Sequence, residues 1–131
     1  MDDPNTACWK LSCSDALVAV PPINIWIQGI VVSITTIDKY NFLLVDDGTG
    51  VMDVSTETLQ SSKKLIEIGD YLFFQGGLRI IENPEAYIQR NDNYKIKRLI
   101  RVRSSGFVDN CNMETFWILS LLESQELVNV G

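Results

Sequence analysis

The sequence contains no histidine, and this absence restricts its chemistry more than any other feature of the composition. Histidine is the commonest metal ligand and the commonest general base near neutral pH. Serine and cysteine nucleophiles have no imidazole to activate them, and no nucleophile-elbow motif is present. We therefore expect a protein that is not an enzyme and that needs no metal or other cofactor.

Cysteine is also scarce, with Cys8, Cys13 and Cys111 as the three thiols. An odd count without a C-x-x-C spacing gives neither a zinc site nor a fully paired set of disulfides. The first residues are acidic and polar, and no apolar run approaches the length of a membrane span. We therefore expect a reducing compartment, the cytosol or the nucleus.

The length and composition suit a single domain. The chain has 131 residues, of which 46% are hydrophobic, so it can bury a core without disulfide or metal support. It carries 11 basic and 17 acidic residues, for a formal net charge of -6. Any basic surface must therefore be local.

Five strand-like segments follow one another after residue 22. The first is β-branched and long, with Gly29 inside it, as is typical of a bulged strand that closes a small barrel. Residues 42–45 and 51–54 flank a glycine-rich turn and predict a hairpin. The fourth strand is predicted at Tyr71–Ile80 and the fifth at residues 94–102, where apolar and basic residues alternate.

This pattern predicts an all-β fold, a five-stranded Greek-key OB-fold barrel followed by a C-terminal α-helix. We expect an N-terminal extension with a short helix at residues 1–22, the barrel at about 23–103 and the helix at about 112–128. The stretch 55–67 is polar and predicts a loop with one helical turn. An SH3-like barrel or a small sandwich explains the long first strand and the terminal helix less well.

The segment Asp46-Asp47-Gly48-Thr49-Gly50 contains the carboxylates and glycines that are common in metal-binding and phosphate-binding loops. It matches neither the P-loop nor the EF-hand spacing. Adjacent carboxylates also point to opposite faces of an extended chain. The segment is better interpreted as a hairpin turn whose aspartates accept hydrogen bonds from the backbone.

A basic cluster occupies residues 90–103, where six of the eleven cations are opposed only by Asp92. Alternation places four of them on one strand face: Lys95, Lys97, Arg101 and Arg103. This basic stripe is a candidate site for nucleic acid or for an acidic partner. Binding of single strands also needs exposed aromatics, and Phe42, Phe73 and Phe74 are better interpreted as core residues.

The predicted terminal helix is more apolar than a barrel normally covers. Large aromatic and leucine side chains are the usual anchors of protein interfaces. Part of the helix is therefore predicted to bind a partner, although the end of the barrel is an alternative place for the same side chains. The candidate anchors are Met113, Phe116, Trp117, Leu121 and Leu122.

Several segments together resemble one family of OB-fold proteins. They are IWIQGIVV at 25–32, LLVDDGTGV at 43–51, GDY at 69–71 and ETFWIL at 114–119, with WKL at 9–11. The chain resembles the second subunit of the RecQ-mediated genome instability complex. The middle subunit of replication protein A and its telomeric relatives share the first-strand and DDGTG-like patterns.

The resemblance implies a non-catalytic nuclear scaffold subunit that pairs with the C-terminal OB domain of the first subunit of that complex. The larger assembly contains a RecQ helicase and a type IA topoisomerase, and it dissolves double Holliday junctions. By the same analogy the chain binds DNA weakly or not at all, and the terminal helix docks the partner. The insertion around residues 82–93 and the basic stripe depart from the family pattern. The alternative is a single-stranded DNA or telomere-end binder of the replication protein A type.

Overall fold

The computed structural model describes residues 8–108. The predicted terminal helix at about 112–128 lies outside the described residues, as do all five of its candidate anchors. The strands are β1 (Cys8–Lys10), β2 (Asn24–Ile37), β3 (Tyr40–Asp46), β4 (Val51–Thr56), β5 (Gln60–Ser61), β6 (Lys64–Leu65), β7 (Tyr71–Ile80), β8 (Ile88–Gln89), β9 (Lys95–Ile96) and β10 (Arg98–Phe107). One α-helical turn, α1 (Cys13–Ala16), and a 3-10 helix, Pro84–Ala86, complete the described elements.

Five of these strands close a barrel. Strands β2, β3 and β4 form an antiparallel meander, and β4 pairs in parallel with β10. Strand β10 runs antiparallel to β7, which pairs with the first half of β2 and completes the ring. This is the predicted Greek-key OB-fold barrel.

Strand β2 is long because it pairs with two different strands, one on each side, and so closes the barrel. Its first half pairs with β7 and its second half with β3. Its register with β3 shifts between Val31 and Ser33, close to the predicted bulge. A Cβ at Gly29 would lie 2.6 Å from the Asp46 carbonyl oxygen, so only glycine lets the two strands approach this closely.

Inward-facing aliphatic side chains from all five barrel strands fill the core. The fully buried ones include Ile25, Ile27, Val31, Leu43, Val45, Met52, Val54, Leu72, Phe74, Leu78 and Ile100. Phe74 and Phe42 are buried as predicted. The prediction for Phe73 was wrong in part, because Phe73 lies half-buried on the outer face against Trp26, with ring centroids 5.1 Å apart.

The N-terminal segment is part of the sheet. Strand β1 pairs in parallel with the start of β2, and α1 follows as the predicted short helix. Arg98 donates hydrogen bonds to the carbonyl oxygens of Ala16 and Ala19 at 2.9 and 3.1 Å. One member of the predicted basic cluster therefore fixes α1 and the residues that follow it to the barrel.

Two small hairpins differ from the sequence prediction. The stretch 55–67 contains the β5–β6 hairpin instead of a helical turn, with Ser62 and Lys63 at positive φ in its turn. The predicted fifth strand is split into β9 and β10, and β9 turns back to pair with β8. Alternation alone does not show this break, because the side-chain pattern continues across it.

Candidate interaction surfaces on the barrel

OB-fold proteins commonly bind oligonucleotides on the outer face of their second and third barrel strands, between the loops beside it. These strands are β3 and β4 here. Their outward positions alternate with the core residues Leu43 and Val54, which places Phe42 and Asp53 on that outer face. We call the surface around Phe42 and Asp53 the covered face.

The β8–β9 hairpin packs on the covered face. Phe42 is only 7% exposed because it forms a second apolar cluster with Ile96, Leu99 and Ile88. Ile88 and Ile96 pair with each other across the hairpin. The segment between β7 and β10 therefore covers part of the face on which other OB folds bind oligonucleotides.

A buried ion pair ties the hairpin to β4. The Nη1 atom of Arg90 lies 3.4 Å from Oδ1 of Asp53, with 8% and 10% of the two side chains exposed. Arg90 also contacts the exposed Asp92 at 3.3 Å and lies over the Tyr94 ring. Burial raises the pKa of Asp53 to about 6, while the Arg90 charge opposes that rise.

Asn91 supplies a second attachment, at the tip of the hairpin. Its side chain donates to the Ile34 carbonyl oxygen at 2.8 Å, and its backbone N–H donates to Oγ1 of Thr35 at 3.1 Å. The covered face is thus sealed by apolar, ionic and hydrogen-bonded contacts. Tyr40, 40% exposed on β3, remains as an aromatic at its margin.

A wide polar cleft opens on the adjoining side of the barrel. Its volume is about 720 Å³, and three guanidinium groups line it, from Arg79, Arg101 and Arg103. Glu57 is its one acidic lining residue. Arg103 donates to the side-chain oxygen of Asn24 at 2.9 Å, which holds that guanidinium in place. We call this site the arginine cleft.

The predicted basic stripe divides between two places. Arg101 and Arg103 line the arginine cleft together with Arg79, a residue that the sequence analysis missed. Lys95 and Lys97 are exposed near the β8–β9 hairpin, and Lys97 lies 5.8 Å from the Tyr87 ring centroid. The sequence alone does not show that Arg79 lies near Arg101. The β7–β10 register shows it, because Arg79 is opposite Leu99, which is two residues from Arg101 on the same strand face.

An apolar patch lies near the opposite end of β2. Ile30 and Val32 are 42% and 40% exposed, and Tyr71 pairs with Ile30 across the strands. A cavity of about 250 Å³ runs beside them, and its lining includes Asp46 and Asp47. We call Ile30, Val32 and Tyr71 the β2 patch, which has the apolar centre and polar margin common in protein interfaces.

The Asp46-Asp47-Gly48-Thr49-Gly50 segment is a hairpin turn, as predicted. Asp46 accepts from the Gly48 N–H at 2.8 Å, and Asp47 accepts from the Thr49 N–H at 2.9 Å. Asp47 also accepts from the Cys13 N–H at the start of α1. Burial and the Asp47 carboxylate together raise the pKa of the Cys13 thiol above its usual range, so this thiol stays protonated.

Between residues 8 and 108, no three acidic or cysteine side chains come together in a group able to hold a metal ion. In the same part of the chain, no helix has the length and apolar character needed to cross a membrane.

Several solved structures contain chains with a similar fold. A chain from the structure of a replication protein A heterotrimer bound to ssDNA aligns with a TM-score of 0.72 and 18% identity, covering 93% of this chain and 98% of that one. A chain of the S. pombe Stn1-Ten1 complex gives 0.61 and 17%, over 80% and 72%. A chain from yeast Stn1 and Ten1 gives 0.63 and 14%, over 95% and 75%. At these identities the likeness shows the fold alone.

Curated protein sequences give no match to this chain. A family model does match, and it extends over residues 2–125, from before β1 into the segment of the predicted terminal helix. This span includes every segment on which the sequence resemblance rests. The chain therefore belongs to the family described as RecQ-mediated genome instability protein 2.

Proposed function

We propose that this chain is a non-catalytic OB-fold subunit of a nuclear genome-maintenance complex and that it acts through protein contacts. The observation that carries the proposal is the family match over residues 2–125. The proposed partner is the C-terminal OB domain of the first subunit of the RecQ-mediated genome instability complex. In the larger assembly a RecQ helicase and a type IA topoisomerase dissolve double Holliday junctions, and this subunit stabilises the complex.

The barrel itself supports a role in protein contact. Its usual base-stacking face is occupied by the β8–β9 hairpin, and Phe42 is buried there. The β2 patch leaves aliphatic side chains exposed beside Asp46 and Asp47. The similar chains named above come from the replication protein A and Stn1-Ten1 complexes, which fits a subunit that works in an assembly.

The terminal helix remains the predicted docking element, with Met113, Phe116, Trp117, Leu121 and Leu122 as its anchors. Co-expression with the first subunit tests this prediction. We expect a stoichiometric complex on size exclusion, lost in the double variant Trp117→Ala, Leu121→Ala. Ile68→Ala is the matched control, because Ile68 is an exposed aliphatic residue between β6 and β7. A complex that survives the double variant shows that the helix is not the docking element.

The arginine cleft favours a second candidate function, the binding of single-stranded DNA in the manner of replication protein A. Three guanidinium groups in one cleft suit a phosphate backbone. This candidate requires tight binding with a steep salt dependence. The burial of Phe42 weighs against it, because this ring is not accessible to a base, and Tyr40 is exposed only at the margin of the covered face.

A further inference from the structure

We propose that the arginine cleft is a binding site for an acidic peptide segment of a partner protein, held by Arg79, Arg101 and Arg103. The site lies on the barrel outside the predicted terminal helix. It goes beyond the proposed assembly role, and neither depends on the other.

The cleft is built by strand register. Ser55, Arg101, Gly77 and Asn24 are direct neighbours on β4, β10, β7 and β2. Their sequence neighbours Val54, Ile100, Leu78 and Ile25 point into the core, so these four positions face outward. Gly77 has no side chain, and this leaves the space beside Arg101 empty. A Cβ at Gly77 would meet nothing nearer than the Asn24 side-chain oxygen, at 3.7 Å.

The guanidinium groups in the cleft are available to a ligand. Arg79, Arg101 and Arg103 are exposed and make no ion pair with any residue between 8 and 108. Their guanidinium groups therefore stay free to pair with an anion, and arginine pairs with carboxylates in a two-pronged geometry. Serine and threonine hydroxyls from residues 55–62 add neutral donors around the rim.

Two features favour a peptide over a nucleic acid. The base-stacking face next to the cleft is covered, and Tyr40 is the one aromatic among the residues that line the cleft. The whole chain also has a net charge of -6, which repels a long polyanion. A short acidic peptide meets mainly the cations within one Debye length, which is about 8 Å at physiological salt.

A fluorescence anisotropy titration of the full chain tests the site. The probe is a short labelled peptide that carries several aspartates. We expect saturable binding, weakened about tenfold when asparagine replaces each aspartate in the peptide. The variant Arg101→Ala should weaken binding by about the same factor. Lys95→Ala is the matched control, because Lys95 is an exposed cation outside the cleft, and it should change affinity by less than about twofold.

A second pair of variants separates occupancy of the cleft from loss of folding. Gly77→Glu places a carboxylate beside Arg101 and should abolish peptide binding, whereas Gly77→Ala fills little of the space and should preserve it. Thermal unfolding confirms that both variants are folded. The proposal fails if the acidic peptide does not bind, or if Arg101→Ala and Gly77→Glu bind it as well as the parent chain does. It also fails if an oligothymidylate of matched charge binds the cleft more tightly than the peptide.

Discussion

One row of outward-facing positions runs around the barrel, and its two halves have opposite character. On β2 and β3 the row begins with Thr35 and Phe42, which are buried beneath the β8–β9 hairpin. It continues through Ser55 and Arg101 to Gly77, where the arginine cleft is open. The barrel thus carries a sealed apolar face on β3 and β4 beside an open cationic cleft whose arginines lie on β7 and β10.

The difference shows how one inserted segment changes the use of a fold. The barrel keeps the OB topology, but residues 82–97 fold back over the covered face, where other OB folds bind a ligand. What remains open beside it is a cleft lined by three arginines and by one aromatic ring, that of Tyr40. This combination suits acidic protein segments better than bases, and it agrees with a family whose proposed role is assembly.

Removal of the Phe42 ring should have the largest effect on stability, because this ring lies at the centre of the covered face. Phe42→Ala leaves a cavity under the hairpin and is expected to lower the free energy of unfolding by about 4 kcal/mol. Chemical denaturation measures this loss. Tyr40→Ala, two residues away and exposed, should cost less than about 1 kcal/mol. Equal losses in the two variants would show that the hairpin does not cover Phe42.

The buried carboxyl should make the stability of the covered face depend on pH. The pKa of Asp53 rises from 3.8 to about 6 on folding, so the folded chain binds the extra proton between these values. The contribution of Asp53 to stability therefore falls as pH increases from about 4 to 6, by up to about 3 kcal/mol. Urea unfolding of the parent chain and of Asp53→Asn at each pH tests this: the free energy of unfolding of the parent minus that of the variant should decrease as pH rises from about 4 to 6, because the asparagine of the variant does not titrate. A value that stays constant or increases with pH contradicts the burial of Asp53.

Breaking the ion pair without an isosteric replacement should have a smaller effect. Asp53→Ala leaves the Arg90 guanidinium buried with only the exposed Asp92 beside it, at an expected cost of about 2 kcal/mol near neutral pH. Asp92→Ala is the matched control, since its side chain is 60% exposed, and it should cost less than about 0.5 kcal/mol. Denaturation midpoints at one pH compare the two variants. A larger loss of stability in Asp92→Ala would show that Asp92, and not Asp53, is the main partner of Arg90.

The smallest effect is expected at the tip of the hairpin. Asn91→Ala removes the side-chain hydrogen bond to the Ile34 carbonyl oxygen and should cost about 1 kcal/mol. Hydrogen exchange adds a local readout, because the backbone N–H of Asn91 donates to Thr35 and should exchange faster in the variant. Unchanged exchange would mean that this attachment does not hold the hairpin closed.

Much of the barrel follows from the sequence because its determinants are local. The β-branched run around Gly29, the DDGTG turn and the Tyr71–Ile80 segment after Gly69-Asp70 each indicate their own structure. The β8–β9 hairpin could not be predicted, because its strands are two residues long and the residue against which Ile88 and Ile96 pack, Phe42, is distant in sequence. Arg79 joins Arg101 only through strand pairing, so the cleft was half predicted. The buried roles of Arg90 and Arg98 were hidden for the same reason, since a charge pattern does not distinguish a solvated cation from one with a buried partner.

Titration of the full chain with a labelled oligothymidylate at low and physiological salt tests most directly whether this barrel works through proteins or through nucleic acid. If the barrel works through proteins, no saturable binding is expected at physiological salt, and only weak binding at low salt. Tight binding with a steep salt dependence, flattened by Lys97→Ala and Arg101→Ala, would contradict this expectation and favour a single-stranded DNA-binding subunit.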